Sequence, residues 1–336
     1  MESYKRSTNG NPAPVAMFVY NRVDNTQVTL RALMANEGAR DTDVYVFSDG
    51  GKDEASWRRV RAVRDYLHTL GDTIAQTKAF HSFTLVERPE NFYLERNITE
   101  GIGEVFAKHD RIIVLEDDIV TSPYFLRYMN EAFERYASTP QVMHVAGFTN
   151  LDLLTPEGRA LLPSPRADIY FTPHMSGWGW GTWRDRWQQH FRHYQTPDEA
   201  LQGMSPSDCD RIQYGGVFPC LRSLQRRPIP WDICWELAIY KAHGLCLTPA
   251  HTLVRNIGLS SGTHFRSYSI LQHYEFDRPP LQRPIRIETL EPRALPAIET
   301  RFAQAIRDWG IRYTWLGKCI RYCYLKLCGK DKKSKK

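Results

Sequence analysis

Residues 111–118 read RIIVLEDD, an apolar run that ends in three consecutive carboxylates, Glu116, Asp117 and Asp118. A short apolar run bounded by polar residues indicates a buried strand. Burying unpaired carboxylates costs a great deal of free energy, so the end of this strand must open onto a crevice or onto a cation. The stretch therefore predicts a buried strand with a polar site at its carboxyl end.

Strand and helix patterns alternate along the chain before this stretch and again after it. A helical pattern, SPYFLRYMNEAFERY, begins at Ser122, and further strand patterns lie at residues 141–148 and 168–174. Alternating units of this length predict an α/β fold with a mostly parallel sheet covered by helices, in which ligands bind at the carboxyl ends of the strands. The units before the stretch are predicted at residues 15–21, 25–36, 43–51, 54–70, 83–88 and 97–109.

The three acids have two interpretations. A hard divalent cation, Mg²⁺ or Mn²⁺, is bound by one or two carboxylates and completes its coordination with substrate phosphates, so the acids would hold a cation against a diphosphate. The alternative is structural, because acids favour the N-terminus of a helix and Ser122 lies close by. The apolar strand and the three consecutive acids favour the interpretation as a cation site.

Two other strand ends place polar groups at the same predicted edge of the sheet. Arg22 follows the first strand and Asp49 follows the second. An arginine there can bind a phosphate through two hydrogen bonds, and an aspartate can accept a hydrogen bond from a base or a ribose. Alternatively, Arg22 pairs with Asp24 on the surface, and Asp49 only initiates the SDGG turn. Their shared topological position favours ligand binding.

Several short motifs resemble one known family. In chain order they are YNR, FSDGG, VLEDDIVTSPYFLRYMN, GWGWGTW, PWDICW and NIGLSSGTH, and the resemblance that they carry covers roughly Val15 to His264. They resemble bacterial sugar transferases related to N-acetylglucosaminyltransferase I, and the acidic block is the most specific of them. The resemblance implies a GT-A fold, which is a Rossmann-like, mostly parallel sheet flanked by helices that binds a nucleotide-diphospho-sugar.

The resemblance also implies a role for each polar residue at the strand ends. Asp118, the last acid of the block, would ligate Mn²⁺ (or Mg²⁺), and Glu116 and Asp117 would bind the nucleotide. Asp49 would bind the uracil and Arg22 the diphosphate, so the expected donor is a UDP-sugar. The resemblance suggests an N-acetylhexosamine as the transferred sugar, whereas the residues themselves do not select one.

Asp232 in PWDICW takes the place of the catalytic base of an inverting transferase in this resemblance. An inverting transfer needs a group that takes the proton of the acceptor hydroxyl. Trp231 and Trp235 flank Asp232 and are predicted to raise its pKa and to bind the acceptor by stacking. The same position also suits a helix N-cap. The family has two adjacent acids here, whereas Ile233 follows Asp232 in this chain.

Two segments with glycine are candidates for loops around the donor. The aromatic run at residues 178–187 follows Gly177, and Gly177 with Trp178 is predicted to shape a loop on the donor side. In SSGTH, Ser261 and His264 are predicted to close over the diphosphate as a lid, with His264 as a metal or phosphate contact. The alternatives are core packing for the tryptophans and a plain surface loop for SSGTH.

Together these residues predict an inverting, metal-dependent glycosyltransferase that moves a sugar from a UDP-sugar to a hydroxyl of a glycan or lipid-linked acceptor. A sugar nucleotidyltransferase is the enzyme alternative, but YNRVDN after the first strand lacks the glycine-rich phosphate loop typical of those enzymes. A non-catalytic carbohydrate-binding or scaffold protein on a degenerate GT-A fold is the other alternative.

The chain has 336 residues and a formal net charge of +6, and it is long enough for one large α/β domain. We expect a flexible arm at residues 1–14, a glycosyltransferase domain at 15–276, and a proline-rich linker with a basic helical tail at 277–336. Within the domain, we expect the nucleotide-sugar half at about 15–150 and the acceptor half at about 151–276.

The tail from Lys318 to Lys336 mixes lysines with aromatic and aliphatic residues. Such a segment can bind anionic lipid and bring the enzyme to a lipid-linked acceptor, although a solvated helix is the alternative.

The seven cysteines form no C-x-x-C pair, and no uncharged run is long enough to span a bilayer. No nucleic-acid motif accompanies the charge. We therefore expect a cytoplasmic bacterial protein, peripheral on the inner face of the membrane, in polysaccharide biosynthesis.

Overall fold

A computed structural model describes residues 11–218, 220–258 and 278–311, with side chains as far as residue 305. An eight-stranded sheet lies at its centre, and a separate pair of antiparallel strands lies beside it. The strands of the large sheet are β1 (Val15–Val19), β2 (Asp43–Ser48), β3 (Ser82–Glu87), β4 (Arg111–Glu116), β6 (Val142–Ala146), β7 (Ile169–Thr172), β8 (Trp180–Trp183) and β9 (Leu245–Pro249). The separate pair consists of β5 (Ile119–Thr121) and β10 (Val254–Asn256).

Helices cover both faces of the large sheet. Its strands lie in the order β3-β2-β1-β4-β8-β6-β9-β7. The α-helices in the described residues are α1 (Val23–Met34), α2 (Glu54–Thr77), α3 (Tyr93–Phe106), α4 (Phe125–Arg135), α5 (Pro156–Arg159), α6 (Arg184–His190), α7 (Pro197–Leu201), α8 (Pro206–Ile212), α9 (Trp231–Lys241) and α10 (Pro296–Ile311).

The strands β3, β2, β1 and β4 are parallel neighbours, as the alternating sequence pattern predicts. In β1, Val15, Met17 and Val19 pack in one hydrophobic core, and Ala16 and Phe18 pack in the other. Successive side chains of a strand point to opposite faces, so a sheet covered on both faces requires an unbroken apolar run. The predicted α/β class, with a mostly parallel sheet flanked by helices, is confirmed.

The strand β8 lies between β4 and β6 and is antiparallel to both. We did not predict a strand in this run of tryptophans and glycines. Gly181 permits the close packing, because a Cβ there would lie 2.5 Å from the carbonyl oxygen of Ile112 and 2.6 Å from the ring of Phe133. The aromatic run is therefore a central strand of the sheet as well as part of a loop.

Residues 278–305 pack against the rest of the described chain, and the division into a domain at 15–276 and a linker with a tail at 277–336 stays a prediction. Ile298 in α10 is completely buried. Arg283 Nη1 contacts Oδ2 of the buried Asp168 at 2.7 Å. Before α10, the stretch that contains Pro279, Pro280 and Pro284 has no helix or strand, but Ile285 and Ile287 in it still pack in the core.

None of the helices in the described ranges is long and apolar enough to cross a membrane. The cysteines in those ranges are Cys209, Cys220, Cys234 and Cys246, and all four are free thiols. Cys234 and Cys246 are buried and pack as small apolar side chains in the core.

Candidate active site

The carboxyl ends of β1, β2 and β4 meet at one edge of the sheet, because the three strands are parallel neighbours. Phe18 of β1 lies beside Glu116 of β4, and Val19 lies beside Ser48 of β2. The residues that follow these strands emerge at the same edge, which is where ligands bind in sheets of this kind. The structure thereby places Arg22, three residues after β1, next to the acids after β4.

Arg22 binds two of the three acids. Its Nε donates to Oδ2 of Asp117 at 3.3 Å, and its Nη2 contacts Oδ1 of the same carboxylate. Nη2 also lies 2.9 Å from Oδ2 of Asp118. The side chain of Arg22 is 29% exposed, whereas that of Asp117 is 3% exposed. Arg22 therefore neutralises a buried acid while its side chain stays partly exposed, and it makes these contacts instead of the alternative pair with Asp24.

The turn that carries Asp117 and Asp118 is fixed from three sides. The carbonyl of Asp117 accepts a hydrogen bond from Oγ1 of Thr29 in α1 at 2.9 Å, and its carboxylate accepts one from the backbone of Tyr20. The carbonyl of Asp118 accepts one from the backbone N–H of Ile257, just after β10, at 2.9 Å. The carboxylates are therefore held in place before any ligand binds.

Gly258 lies against the acids and the arginine. A Cβ at this position would lie 2.0 Å from Oδ2 of Asp118 and 2.9 Å from Nη1 of Arg22. The backbone N–H of Gly258 donates to Oδ1 of Asn256 at 2.8 Å, which holds the backbone in this position. Neither Asn256 nor Gly258 was singled out from the sequence. The signal that could have found them is the glycine directly after a strand in the NIGLSSGTH motif.

Glu116 is the acid that Arg22 does not bind. Within the described ranges its carboxylate has no hydrogen-bond or ion-pair partner. Burial and the charges of Asp118 and Asp117 raise the pKa of Glu116 to about 8. Burial also raises the pKa of Asp117 to about 6, although Arg22 opposes the shift. Three carboxylates thus face one guanidinium, and a further cation would relieve the excess negative charge.

Asp49 is buried just after β2, with 6% of its surface exposed. Its carboxylate accepts hydrogen bonds from the backbone N–H groups of Gly50 at 2.9 Å and Phe92 at 2.7 Å, and from Nδ2 of Asn91 at 3.2 Å. Burial raises its pKa despite these hydrogen bonds. The contacts are those of a turn-forming aspartate, and the role of Asp49 toward a uracil stays a prediction.

The loop before β8 lies over the end of β4. Gly179 has a φ of 61°, and a Cβ there would lie 3.4 Å from Leu115, the residue before the acid block. A Cβ on Gly177 would lie 3.5 Å from the ring of Trp231. Trp178, between the two glycines, is half-buried. The segment from Gly177 to Gly179 therefore lies beside the end of β4 and the ring of Trp231, and its role toward the donor stays a prediction.

Asp232 lies in the first turn of α9. The helix begins at Trp231, so Pro230 occupies the N-cap, and Oδ1 of Asp232 accepts the backbone N–H of Ile233 at 2.8 Å. Asp232 is an exposed residue, yet desolvation by the surrounding protein raises the pKa of its carboxylate. Its neighbour Trp231 stacks on Trp180, which pairs with Val114 of β4. The start of α9 therefore lies near the end of the strand that carries the acids.

Trp231 and Trp235 belong to the hydrophobic core, with 4% and 0% of their surfaces exposed. The ring of Trp231 stacks on that of Trp180 with centroids 5.2 Å apart. Nε1 of Trp235 donates to Nδ1 of His144 at 3.3 Å. Neither ring offers a free face to an acceptor in this conformation. The structure gives them a packing role instead of the predicted acceptor stacking: they anchor the start of α9 and hence Asp232.

The described residues contain no group of three or more His, Cys, Asp or Glu side chains arranged to enclose a metal ion. The acid edge fits a different kind of metal site. A Mn²⁺ or Mg²⁺ ion bound by one or two carboxylates keeps its other positions for water and phosphate oxygens. Asp118, whose side chain is 11% exposed, and the unpartnered Glu116 supply hard oxygen ligands of this kind.

Three predictions concern residues outside the described ranges. Ser261 and His264 were predicted to form a lid over the diphosphate, and the basic tail from Lys318 was predicted to contact a membrane. All three stay predictions.

Comparisons with known proteins add little to this geometry. No protein-family model matches the chain, and no curated protein matches it in sequence. Among solved structures, the chain is similar to the mannosyltransferase PcManGT from Pyrobaculum calidifontis in complex with GDP-Man and Mn²⁺. The identity is 13%, the match covers 71% of this chain and 77% of that chain, and the TM-score is 0.36. A similarity this low carries no functional argument.

Proposed function

We propose that the protein is a metal-dependent glycosyltransferase with a GT-A fold, which transfers a sugar from a nucleoside diphosphate to a hydroxyl acceptor. One observation carries the proposal: the acid block meets Arg22 at the carboxyl edge of the parallel strands, and Asp232 approaches the same edge from α9. This edge supplies groups for a cation and a diphosphate on one side and a proton acceptor on the other.

On the donor side, Asp118 would hold Mn²⁺ (or Mg²⁺), which supplies Lewis acidity to the leaving diphosphate when it is bound. The side chain of Arg22 is partly exposed, and its guanidinium would bind a phosphate, because an arginine binds carboxylates and phosphates with the same planar set of donors. Glu116, which has no partner in the described ranges, is available to the nucleotide. Asp117 keeps Arg22 in position.

On the acceptor side, Asp232 would act as the general base. Its carboxylate takes the proton of the acceptor hydroxyl while the acceptor oxygen bonds to the anomeric carbon and the bond to the diphosphate breaks. A raised pKa makes Asp232 a stronger base than an ordinary carboxylate. Displacement from the side opposite to the leaving group inverts the anomeric centre. Ile233 follows Asp232, so the proposal assigns the proton to a single carboxylate.

The finer assignments rest on the family resemblance. They are a UDP-linked donor, an N-acetylhexosamine as the transferred sugar, and a glycan or lipid-linked saccharide as the acceptor. Asp49 and the Gly177–Trp178 loop would contact the donor, with Ser261 and His264 as a lid. A cytoplasmic enzyme at the inner face of a bacterial membrane, acting in polysaccharide assembly, belongs to the same proposal.

The proposal is tested by measuring nucleoside diphosphate release from a panel of UDP-, GDP- and dTDP-sugars with Mn²⁺ and with EDTA. We expect release that requires Mn²⁺ in the wild type and is lost in Asp118→Ala. Asp72→Asn is the control, because Asp72 is an exposed acid on α2 and its substitution removes the same charge. Undiminished release in Asp118→Ala would refute the assignment of Asp118.

One observation favours a second candidate. Arg22 already binds two of the acids in this structure, as it would in a non-catalytic carbohydrate-binding scaffold where the ion pair serves stability alone. In that case no donor on the panel is consumed, and Mn²⁺ changes neither nucleotide binding nor thermal stability. The same assay therefore separates the enzyme from the scaffold.

A further inference from the structure

Exposed aromatic surface lies at the start of α3, away from the buried tryptophans. The large apolar side chains that are exposed in the described ranges are Val28, Tyr93 and Leu94. Two of these are consecutive, and Tyr93 is 64% exposed. An exposed tyrosine beside an exposed leucine costs free energy in water, so this pair suggests a surface that a ligand covers.

The backbone of Tyr93 is strained. Its φ is 57°, in the left-handed region that a bulky side chain disfavours and that glycine adopts without cost. The carboxylate of Asp49 holds this conformation, because it accepts hydrogen bonds from the backbone N–H groups of Phe92 and Tyr93. Strained residues of this kind persist where the surrounding structure fixes them, and they concentrate at ligand sites.

Tyr93 borders an open cavity of about 360 Å³, a volume within the range of small-ligand sites. Its wall contains the aromatic rings of Phe92 and Tyr93 together with hydrogen-bonding side chains, which are Glu95, Arg96, Thr99, Glu100 and His193. The guanidinium of Arg96 lies over the Phe92 ring, 3.5 Å from its centroid, so Tyr93 is the more available of the two rings. Burial lowers the pKa of His193, which keeps the imidazole neutral and able both to donate and to accept a hydrogen bond. An exposed aromatic ring beside charged and neutral hydrogen-bonding side chains suits a saccharide.

The cavity lies next to the proposed catalytic base. Pro228, in its wall, comes only four residues before Asp232. Helix α3 packs against α9, the helix that carries Asp232 in its first turn. Both helices begin near the carboxyl edge of the sheet, because α3 follows β3, and Trp231 at the start of α9 stacks on Trp180, which pairs with Val114 of β4. The cavity therefore lies near the segment that carries Asp232.

We propose that this cavity is the acceptor subsite and that Tyr93 is its stacking platform for a saccharide ring; the assignment of the saccharide as acceptor rests on the function proposed above. The C–H groups of a pyranose face carry partial positive charge and pack on the negative face of an aromatic ring. Thr99 and His193 supply hydrogen bonds to hydroxyl groups at the rim. Asp49 is then a positioning residue that fixes the turn presenting the ring.

The test compares wild type, Tyr93→Phe and Tyr93→Gly on a glycan microarray without donor or metal. We expect wild type and Tyr93→Phe to bind the same glycans, and Tyr93→Gly to bind them about tenfold or more weakly because the ring is gone. Val28→Ala, which truncates another exposed apolar side chain, is the control and keeps wild-type binding. Wild type that binds no glycan, or Tyr93→Gly that binds as wild type does, overturns the proposal.

Thermal unfolding of wild type, Tyr93→Gly and Tyr93→Ala checks that a loss of glycan binding is not caused by a loss of folded protein. Glycine suits the left-handed backbone, so we expect Tyr93→Gly to unfold at a temperature no lower than wild type, and Tyr93→Ala, which keeps a Cβ in that conformation, to unfold below Tyr93→Gly. A lower unfolding temperature for Tyr93→Gly than for Tyr93→Ala would contradict the strain on which the proposal depends.

Titration with UMP distinguishes a saccharide platform from a nucleobase platform. We expect Tyr93→Gly to bind UMP as wild type does, whereas a loss of UMP binding would assign the ring to the base and overturn the acceptor subsite.

Metal-dependent release of nucleoside diphosphate by wild type reports on the proposed function separately. If wild type releases nucleoside diphosphate but glycan binding does not depend on Tyr93, the acceptor subsite is refuted and the proposed function is supported. If glycan binding depends on Tyr93 but no nucleoside diphosphate is released, the saccharide site is supported and the proposed function is refuted.

Discussion

The two halves of the sheet are built differently. In the parallel half, β3-β2-β1-β4, the strand ends carry opposite charges that contact one another, and Arg22 holds the acid block. In the other half, the antiparallel strand β8 carries Trp180, whose ring stacks on Trp231 under the start of α9. The difference teaches that charge positions the residues proposed to bind the donor, whereas aromatic packing positions Asp232, the proposed base. Substitutions in the two halves should therefore have separable effects.

Asp232→Asn should have the largest effect and should be confined to the acceptor side. The amide keeps the shape of the side chain but cannot take a proton, so we expect transfer to fall by about a thousandfold, within the usual contribution of a general base. Affinity for the donor with Mn²⁺ should stay that of the wild type. The measurement is single-turnover transfer beside calorimetric titration with UDP. Transfer at an undiminished rate would place the base elsewhere.

Trp235→Ala should break the packing that holds α9. The ring has no exposed surface, and deleting a buried tryptophan side chain costs about 3–5 kcal/mol of unfolding free energy. Trp178→Ala is the matched control, since that ring is only half-buried, and it should cost less. Urea denaturation gives both values. Equal costs for the two variants would contradict the anchoring role of Trp235.

Glu116→Gln should change the pH dependence of stability. The pKa of Glu116 is about 8 in the folded protein and lies near 4.5 without the fold, so the folded state binds the extra proton between these values. Stability of the wild type should therefore fall relative to Glu116→Gln as the pH rises from about 5 to about 8. Unfolding free energies measured across this range without metal test this. A difference between the two proteins that does not change with pH would rule out the shift.

The sequence alone was sufficient to predict the parallel half of the sheet. An unbroken apolar run such as VAMFV satisfies both faces of a buried strand, and the polar residues that follow β1, β2 and β4 share one edge because the strands are parallel. The direct contact of Arg22 with Asp117 and Asp118 was not predicted. Sequence order shows that these groups share an edge, but the distances depend on how the turns fold back.

The second half was harder to predict, because composition does not show which face of a ring is covered. Trp231 and Trp235 look like sugar-stacking residues beside a base, yet both are buried in the core. The strand β8 has no alternating pattern, because both of its faces are buried and Gly181 is required for close packing. Tyr93 gave no sequence signal, since its exposure and its positive φ arise only once Asp49 fixes the turn.

The central claim is that the acids after β4 hold a divalent cation against a diphosphate. The most direct test is calorimetric titration with UDP, in the presence and absence of Mn²⁺, of wild type and Asp118→Ala. Because linked binding is reciprocal, we expect Mn²⁺ to tighten UDP binding by about tenfold or more in wild type and to leave it unchanged in Asp118→Ala. Equal affinity of wild type for UDP with and without Mn²⁺ would contradict the claim and leave the acids as structural partners of Arg22.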